Sequence, residues 1–172
     1  MALVKIETKT LGSNAAQVEF TNIPGTYKSL YMLLNLRSTT TDAISRVALE
    51  GKFNNSSSGY SRSRGYAYDN VPSIGADQST TETILALGSI NNSVLPSQVF
   101  SGVECWVFDY ASSNNIKTMT TKIACIGTTS TYWVTGYAHM SWNNTNPITS
   151  IQIFGSTGNI AAGSTASLYG LG

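Results

Sequence analysis

Alternation with a period of two runs through most of the chain, and that period predicts strands with one buried and one wet face. In residues 30–36, Leu30, Met32, Leu34 and Leu36 share one side, while Tyr31, Leu33, Asn35 and Arg37 fall on the other. Ala16, Val18 and Phe20 alternate with Gln17 and Glu19. Val103, Cys105 and Val107 oppose Glu104, Trp106 and Phe108, so this strand is apolar on both sides and is expected at the centre of a sheet. Met119, Thr121, Ile123 and Cys125 make another face. Tyr132, Val134, Gly136, Ala138, Met140 and Trp142 make a further one, and Ile151 and Ile153 a short late one.

Gly, Pro and Asn clusters separate these runs: Gly12-Ser13-Asn14, Pro24-Gly25, Asn91-Asn92-Ser93 and the stretches 54–59, 112–115, 143–147 and 155–158. Gly and Asn tolerate a left-handed backbone and Pro presets φ, so each cluster breaks a strand for a physical reason. About ten short strands result, which predicts an all-β antiparallel sandwich of jelly-roll type in one domain spanning residues 1–172. Residues 80–87 fit a short helix or a strand equally well. Residues 56–76, rich in Ser, Gly and Tyr, read as a long loop excursion.

Composition narrows the function classes. Charged residues are 11% of the 172, against about 25% in an average protein. Ten basic and nine acidic residues leave a net charge of +1, which argues against a nucleic-acid partner. No apolar run approaches the ~20 residues of a spanning helix, and the first residues lack the pattern of a signal peptide, so no membrane partner is expected.

Catalytic chemistry finds little purchase. His139 is the single histidine, and no Gly-x-Ser-x-Gly elbow, phosphate-binding loop or metal loop is present. Cys105 and Cys125 sit in apolar runs and read as small buried hydrophobes; whether their strands adjoin stays open. The acids Glu50, Asp69, Asp77, Glu82, Glu104 and Asp109 are scattered, and a hydrolase would need two of them paired in a cleft. The expectation is a protein that is not an enzyme and uses no cofactor.

Two aromatic groupings suggest contacts instead. Tyr60, Arg62, Arg64, Tyr66 and Tyr68 form a candidate contact loop, because Tyr and Arg dominate binding hot spots. It would serve a neighbouring subunit or a glycan, or else be a loop packed by its own tyrosines. Trp133, Tyr137 and His139 suggest an aromatic platform, although packing against a second sheet is the favoured reading.

Several stretches resemble a family of tailed-phage virion proteins. Phe20, Ile23, Pro24, Tyr27 and Leu30 follow its "F-x-x-I-P-x-x-Y-x-x-L" run, and Arg37 matches the arginine after the next strand. Phe53-Asn54 and Tyr60-Ser61 resemble its "F-N … Y-S" stretch. Phe100-Ser101 and the residues from Tyr110 to Lys117 resemble its mid-chain strand and "Y … N-x-K" turn, and Ile148-Thr149-Ser150-Ile151 its "I-T-S-I" strand. The ending, with Leu168, Tyr169 and Gly170 inside Ser167-Leu168-Tyr169-Gly170-Leu171, is the most specific match. The family's Gly-Asp after Phe-Asn is Asn55-Ser56 here.

The resemblance implies a virion structural protein made in the host cytoplasm. Its place would be the outer capsid surface, as a decoration (cement) protein forming a homotrimer on the major capsid protein. The alternative is a tail-fibre or adaptor domain that binds a host surface glycan; a fibre would usually add repetitive or coiled-coil segments, and none is present. The motif residues read as fold determinants, with Leu168 and Tyr169 packing the last strand into the core and Gly170 allowing a tight exit.

Overall fold

The computed structural model describes residues 2–43, 46–68, 74–126 and 134–172. Asp69, Tyr132 and Trp133 lie outside the described residues. Twelve strands follow in order: β1 (Leu3–Thr10), β2 (Gln17–Phe20), β3 (Ser29–Leu36), β4 (Arg46–Phe53), β5 (Tyr60–Tyr68), β6 (Ile74–Glu82), β7 (Leu85–Asn91), β8 (Ser101–Phe108), β9 (Lys117–Cys125), β10 (Val134–Trp142), β11 (Ile151–Gly155) and β12 (Thr165–Leu171). They form an eight-stranded sheet, β1-β12-β3-β8-β9-β10-β5-β6, and a four-stranded sheet, β2-β11-β4-β7. Every ladder is antiparallel. The fold is a β-sandwich.

The alternation read in the sequence becomes the core. Leu30, Met32, Leu34 and Leu36 of β3 are fully buried. Register carries that face across the sheet, where Leu30 stands opposite Val107, and Met32 opposite Cys105 and Leu168. From the small sheet, Ile151 lies between Phe20 and Phe53. Burying each such side chain is worth roughly 1.5–3 kcal/mol, so these facing layers drive assembly. β8 is an interior strand of the wide sheet, as its two apolar faces imply.

One expectation needs correction, and one open choice is settled in favour of strand. The supposed excursion over 56–76 holds strand β5 and the first residues of β6. Its period was masked by chemistry: Tyr60, Arg62, Arg64, Tyr66 and Tyr68 alternate with Ser61, Ser63, Gly65 and Ala67, so the large positions carry polar tips instead of aliphatic ones. Residues 80–87 contain no helix; they comprise the end of β6, a bend and the start of β7.

One end of the sandwich gathers the motif residues. Residues 145–150 have no strand ladder, yet Ile148 is buried. Their backbone groups are met from four directions. Asn54 donates from Nδ2 to the Pro147 carbonyl at 2.8 Å, and its Oδ1 accepts the amides of Thr149 (2.8 Å) and Ser150 (3.1 Å). The Ile148 amide donates to the Tyr110 carbonyl (2.8 Å), and the Ile23 amide to the Thr149 carbonyl (3.0 Å). Asn54 and Asn55 both adopt positive φ, with the Ser56 amide closing the turn onto the Phe53 carbonyl. Asn is one of the few side chains that tolerates such a left-handed pair.

Lys117 completes this corner. Its side chain is fully buried, and its ammonium donates to the carbonyls of Ser112 (2.6 Å), Asn115 (2.6 Å) and Thr145 (3.0 Å). Desolvation lowers its pKa, partly countered by Asp109. Nearby, the Tyr110 hydroxyl donates to the Pro24 carbonyl and accepts the Tyr27 amide at 3.3 Å. The Tyr27 ring in turn lies on Gly170, where a Cβ would come within 2.2 Å of the ring.

That contact makes glycine at 170 a steric requirement. Gly170→Ala is expected to lower stability by roughly 2 kcal/mol through overpacking. Urea unfolding checks this, and the loss in a Tyr27→Ala background should be smaller than in the parent, because the clash is with that ring.

Candidate functional site

β5 sets Tyr60, Arg62, Arg64 and Tyr66 on one side of the strand, and the sandwich divides their fates; the side chain of Tyr68 lies outside the described part of the structure. Tyr60 is buried, stacked on Trp142 at 6.2 Å, with its hydroxyl accepting the Phe53 amide at 3.0 Å and donating to the Ser56 carbonyl at 3.3 Å. It is a core residue and offers no surface to a partner. Arg62 and Arg64 turn toward β6. Arg62 pairs with Asp77 (3.1 Å) and Glu82 (2.7 Å), and Arg64 with Asp77 (2.6 Å). The Arg64 guanidinium also lies 5.7 Å from the Tyr66 ring centre. These arginines are spoken for within the chain, so β5 is cross-linked to β6 by a half-exposed ion network.

Beside this network a pocket of about 300 Å³ opens between the sheets. Arg64 and Tyr66 of β5 form one wall, Ala86 and Gly88 of β7 the other, with Ile123 of β9 between. Gly88 has φ +139°, and a Cβ there would sit 2.2 Å from Ile123 Cγ2, so a side chain at 88 would close the gap between the sheets. Glu50 has its pKa raised, first by burial and then by the charge of Glu82. Glu82 itself is held by Arg62. These two acids are the described carboxylates that sense one another, but one is committed to an ion pair.

Other reactive groups are dispersed. His139 and Tyr137 point outward from β10, with their rings 6.2 Å apart, and Tyr137 is 58% exposed. Its expected packing against a second sheet does not occur, because Val134, Ala138, Met140 and Trp142 occupy the inward positions of that strand. Cys105 and Cys125 are free and buried, and burial pushes both thiols up, away from reactivity. Register sets Cys105 opposite Thr121 and not opposite Cys125. Among the described residues no group of three or more His, Cys, Asp or Glu could hold a metal ion.

The motif residues are placed as follows. Phe20, Ile23, Leu30, Phe53 and Leu168 are buried core, and Asn54, Tyr27 and Gly170 belong to the corner. Pro24 supplies the carbonyl that Tyr110 engages. Arg37 works at the opposite end, donating to the carbonyls of Leu95 (2.6 Å) and Asn92 (3.4 Å). Tyr169 departs from expectation. It faces away from the core and joins Tyr31 (6.1 Å), which lies 4.6 Å from Trp106.

That aromatic row on the outer face of the wide sheet, flanked by exposed Leu33 and Phe108, is the feature that sequence reasoning missed. Its signal was the presence of Tyr31, Leu33, Trp106 and Phe108 at positions alternating with the core. Compared with known proteins, the chain matches no family model and no curated sequence.

The ion network has a signed pH dependence. Hydrogen bonds from Arg64, then Arg62, hold Asp77 below the ordinary carboxylate value of 3.8 despite partial burial. Such a group stabilises the fold above that value and loses its contribution as pH falls through its own lower pKa. Asp77→Asn is therefore expected to cost about 1 kcal/mol at pH 7, discounted for exposure. Thermal melts across pH should show the two proteins converging as the pH drops below about 4.

Proposed function

We propose that this chain is a structural protein of a tailed-phage virion, a decoration protein that sits on the outer capsid as a homotrimer against the major capsid protein. The observation that carries the reading is the corner around residues 145–150. The stretches behind the resemblance are distant in sequence, yet Asn54, Tyr110, Lys117, Ile23 and Tyr27 hold one another there. They act as one scaffold and leave no reacting group exposed, which supports a structural role over an enzymatic one. The uncovered outer face of the wide sheet adds apolar surface of the kind an assembly covers.

Exposed Tyr137 and the Tyr31–Trp106–Tyr169 row favour one second reading, a tail-fibre or adaptor domain that binds a surface glycan. Aromatic faces stack on sugar rings; Tyr137 is exposed and the row is half-buried.

Gold-labelled antibody against the protein, applied to purified virions and viewed by electron microscopy, separates the two. Label distributed over the head is the expected result. Label confined to the tail, together with glycan binding that Trp106→Ala or Tyr137→Ala abolishes, would replace the decoration reading with the adhesion reading.

A further inference from the structure

The small sheet packs on one face of the wide sheet, and among the described residues no element covers the other face. Of the nine exposed large hydrophobic residues, five lie on that outer face: Leu3, Leu33, Ile74, Phe108 and Tyr137. Among the described residues the strands put three charges there, Lys5 near one edge and Glu104 and Lys122 on the two middle strands. A sheet face left to water is mostly polar, whereas a contiguous apolar one marks a contact surface.

The two halves of this face differ in relief. Register sets Tyr169, Tyr31, Trp106, Thr120, His139 and Ser63 in one row, from β12 across to β5. Its side chains are large up to β8 and, His139 apart, small from β9 onward. The next row runs Leu33, Glu104, Lys122, Tyr137 and Gly65. On the β9–β10–β5 side lie two hollows, of about 570 and 440 Å³, and Thr120 and His139 line both. Glu104 and Lys122 stand opposite each other in the middle of the face, and among the described residues neither joins an ion pair within the chain.

We propose that this face binds a second copy of the chain, in a two-fold dimer whose axis runs parallel to the strands above the line between β8 and β9. That rotation lays β8 on the partner's β9 and β3 on the partner's β10. Glu104 then meets the partner's Lys122, and Lys122 the partner's Glu104, so each copy supplies the ion the other lacks. Trp106 comes to the partner's Thr120, where the two hollows meet, and exposed Leu33 to the partner's exposed Tyr137. No like charges oppose one another, since Lys5 reaches the partner's Gln78. An axis across the strands would instead lay β8 on the partner's β8, bulk on bulk, with no lysine over Glu104.

The dimensions suit such a contact. Eight strands ~4.8 Å apart and about eight residues long offer roughly 900 Å² per copy, near the ~800 Å² of a standard interface. A strand-parallel axis keeps the two sets of strands within about 30° of each other, as in other face-to-face sheets. The contact is isologous and closes on itself. It is two-fold, and so distinct from the trimer of the virion reading; the inference goes beyond that reading and does not depend on it. A dimer of this kind also occludes the aromatic row that the glycan reading needs.

Charge reversal tests the contact. Glu104→Lys sets lysine against lysine, and Lys122→Glu sets acid against acid. Circular dichroism and thermal melting establish that each variant is folded, and Tyr137→Ser serves as an uncharged variant at an exposed position. Analytical ultracentrifugation at about 100 µM should show the parent chain as a dimer, or as a hexamer where the three-fold contact also forms, and each variant with a dissociation constant raised at least tenfold. An equimolar mixture of the two charge variants should recover the dimer, because one copy then carries two positive charges at these positions and the other two negative ones. The double variant, with both charges exchanged, should dimerise as well. A parent chain that is monomeric or trimeric, a variant that keeps the parental affinity, or a mixture that does not recover the dimer would overturn the proposal.

Discussion

The fold depends on how a buried stretch of chain without a strand ladder satisfies its backbone. Residues 145–150 connect β10 to β11 through the closed end of the sandwich, and Ile148 is buried. Unpaired peptide groups in such a place would cost more than the contacts return. Asn54 meets three of them with one side chain, Lys117 another, and the backbones of Tyr110 and Ile23 two more. Because those partners come from β9 and the turns after β2, β4 and β8, the same bonds that solve a local problem also dock the two sheets.

Lys117 illustrates the trade. Removing an ammonium from water is expensive, and among the described residues no carboxylate pairs with it. Three carbonyls from two loops surround it instead, so the charge organises backbone in the manner of a bound cation. Such a residue serves shape, and its neighbours Tyr110 and Tyr27 extend that role to Gly170 at the end of the chain. The region of the wide sheet around β10, β5 and β6 has another character: its inward face carries paired charges on β5 and β6, and its outward face carries the exposed Tyr137 of β10.

Much of the fold was legible in the sequence, and the failures share a cause. Where the buried face was aliphatic, as in Leu30, Met32, Leu34 and Leu36, alternation located strand and face together. Where the large positions were Tyr and Arg, as in β5, the same period was present but did not read as hydrophobic, and the strand passed for a loop. Ion partners were invisible for a different reason. Asp77 meets Arg64 only because β6 pairs with β5, and pairing is a property of topology that a single chain does not spell out. Tyr169 was misplaced because the motif named it beside Leu168, whereas neighbours in a strand face opposite ways. The corner was legible as a set of motifs, while the bonds that join them were not.

Hydrogen exchange at the amides of Ile148, Thr149 and Ser150, followed by NMR, tests the central claim most directly. If side chains lock residues 145–150 as firmly as a ladder would, these amides exchange as slowly as those of β8 in the parent chain, and Asn54→Ala releases Thr149 and Ser150. Exchange at the rates of an open loop in the parent chain would contradict the account.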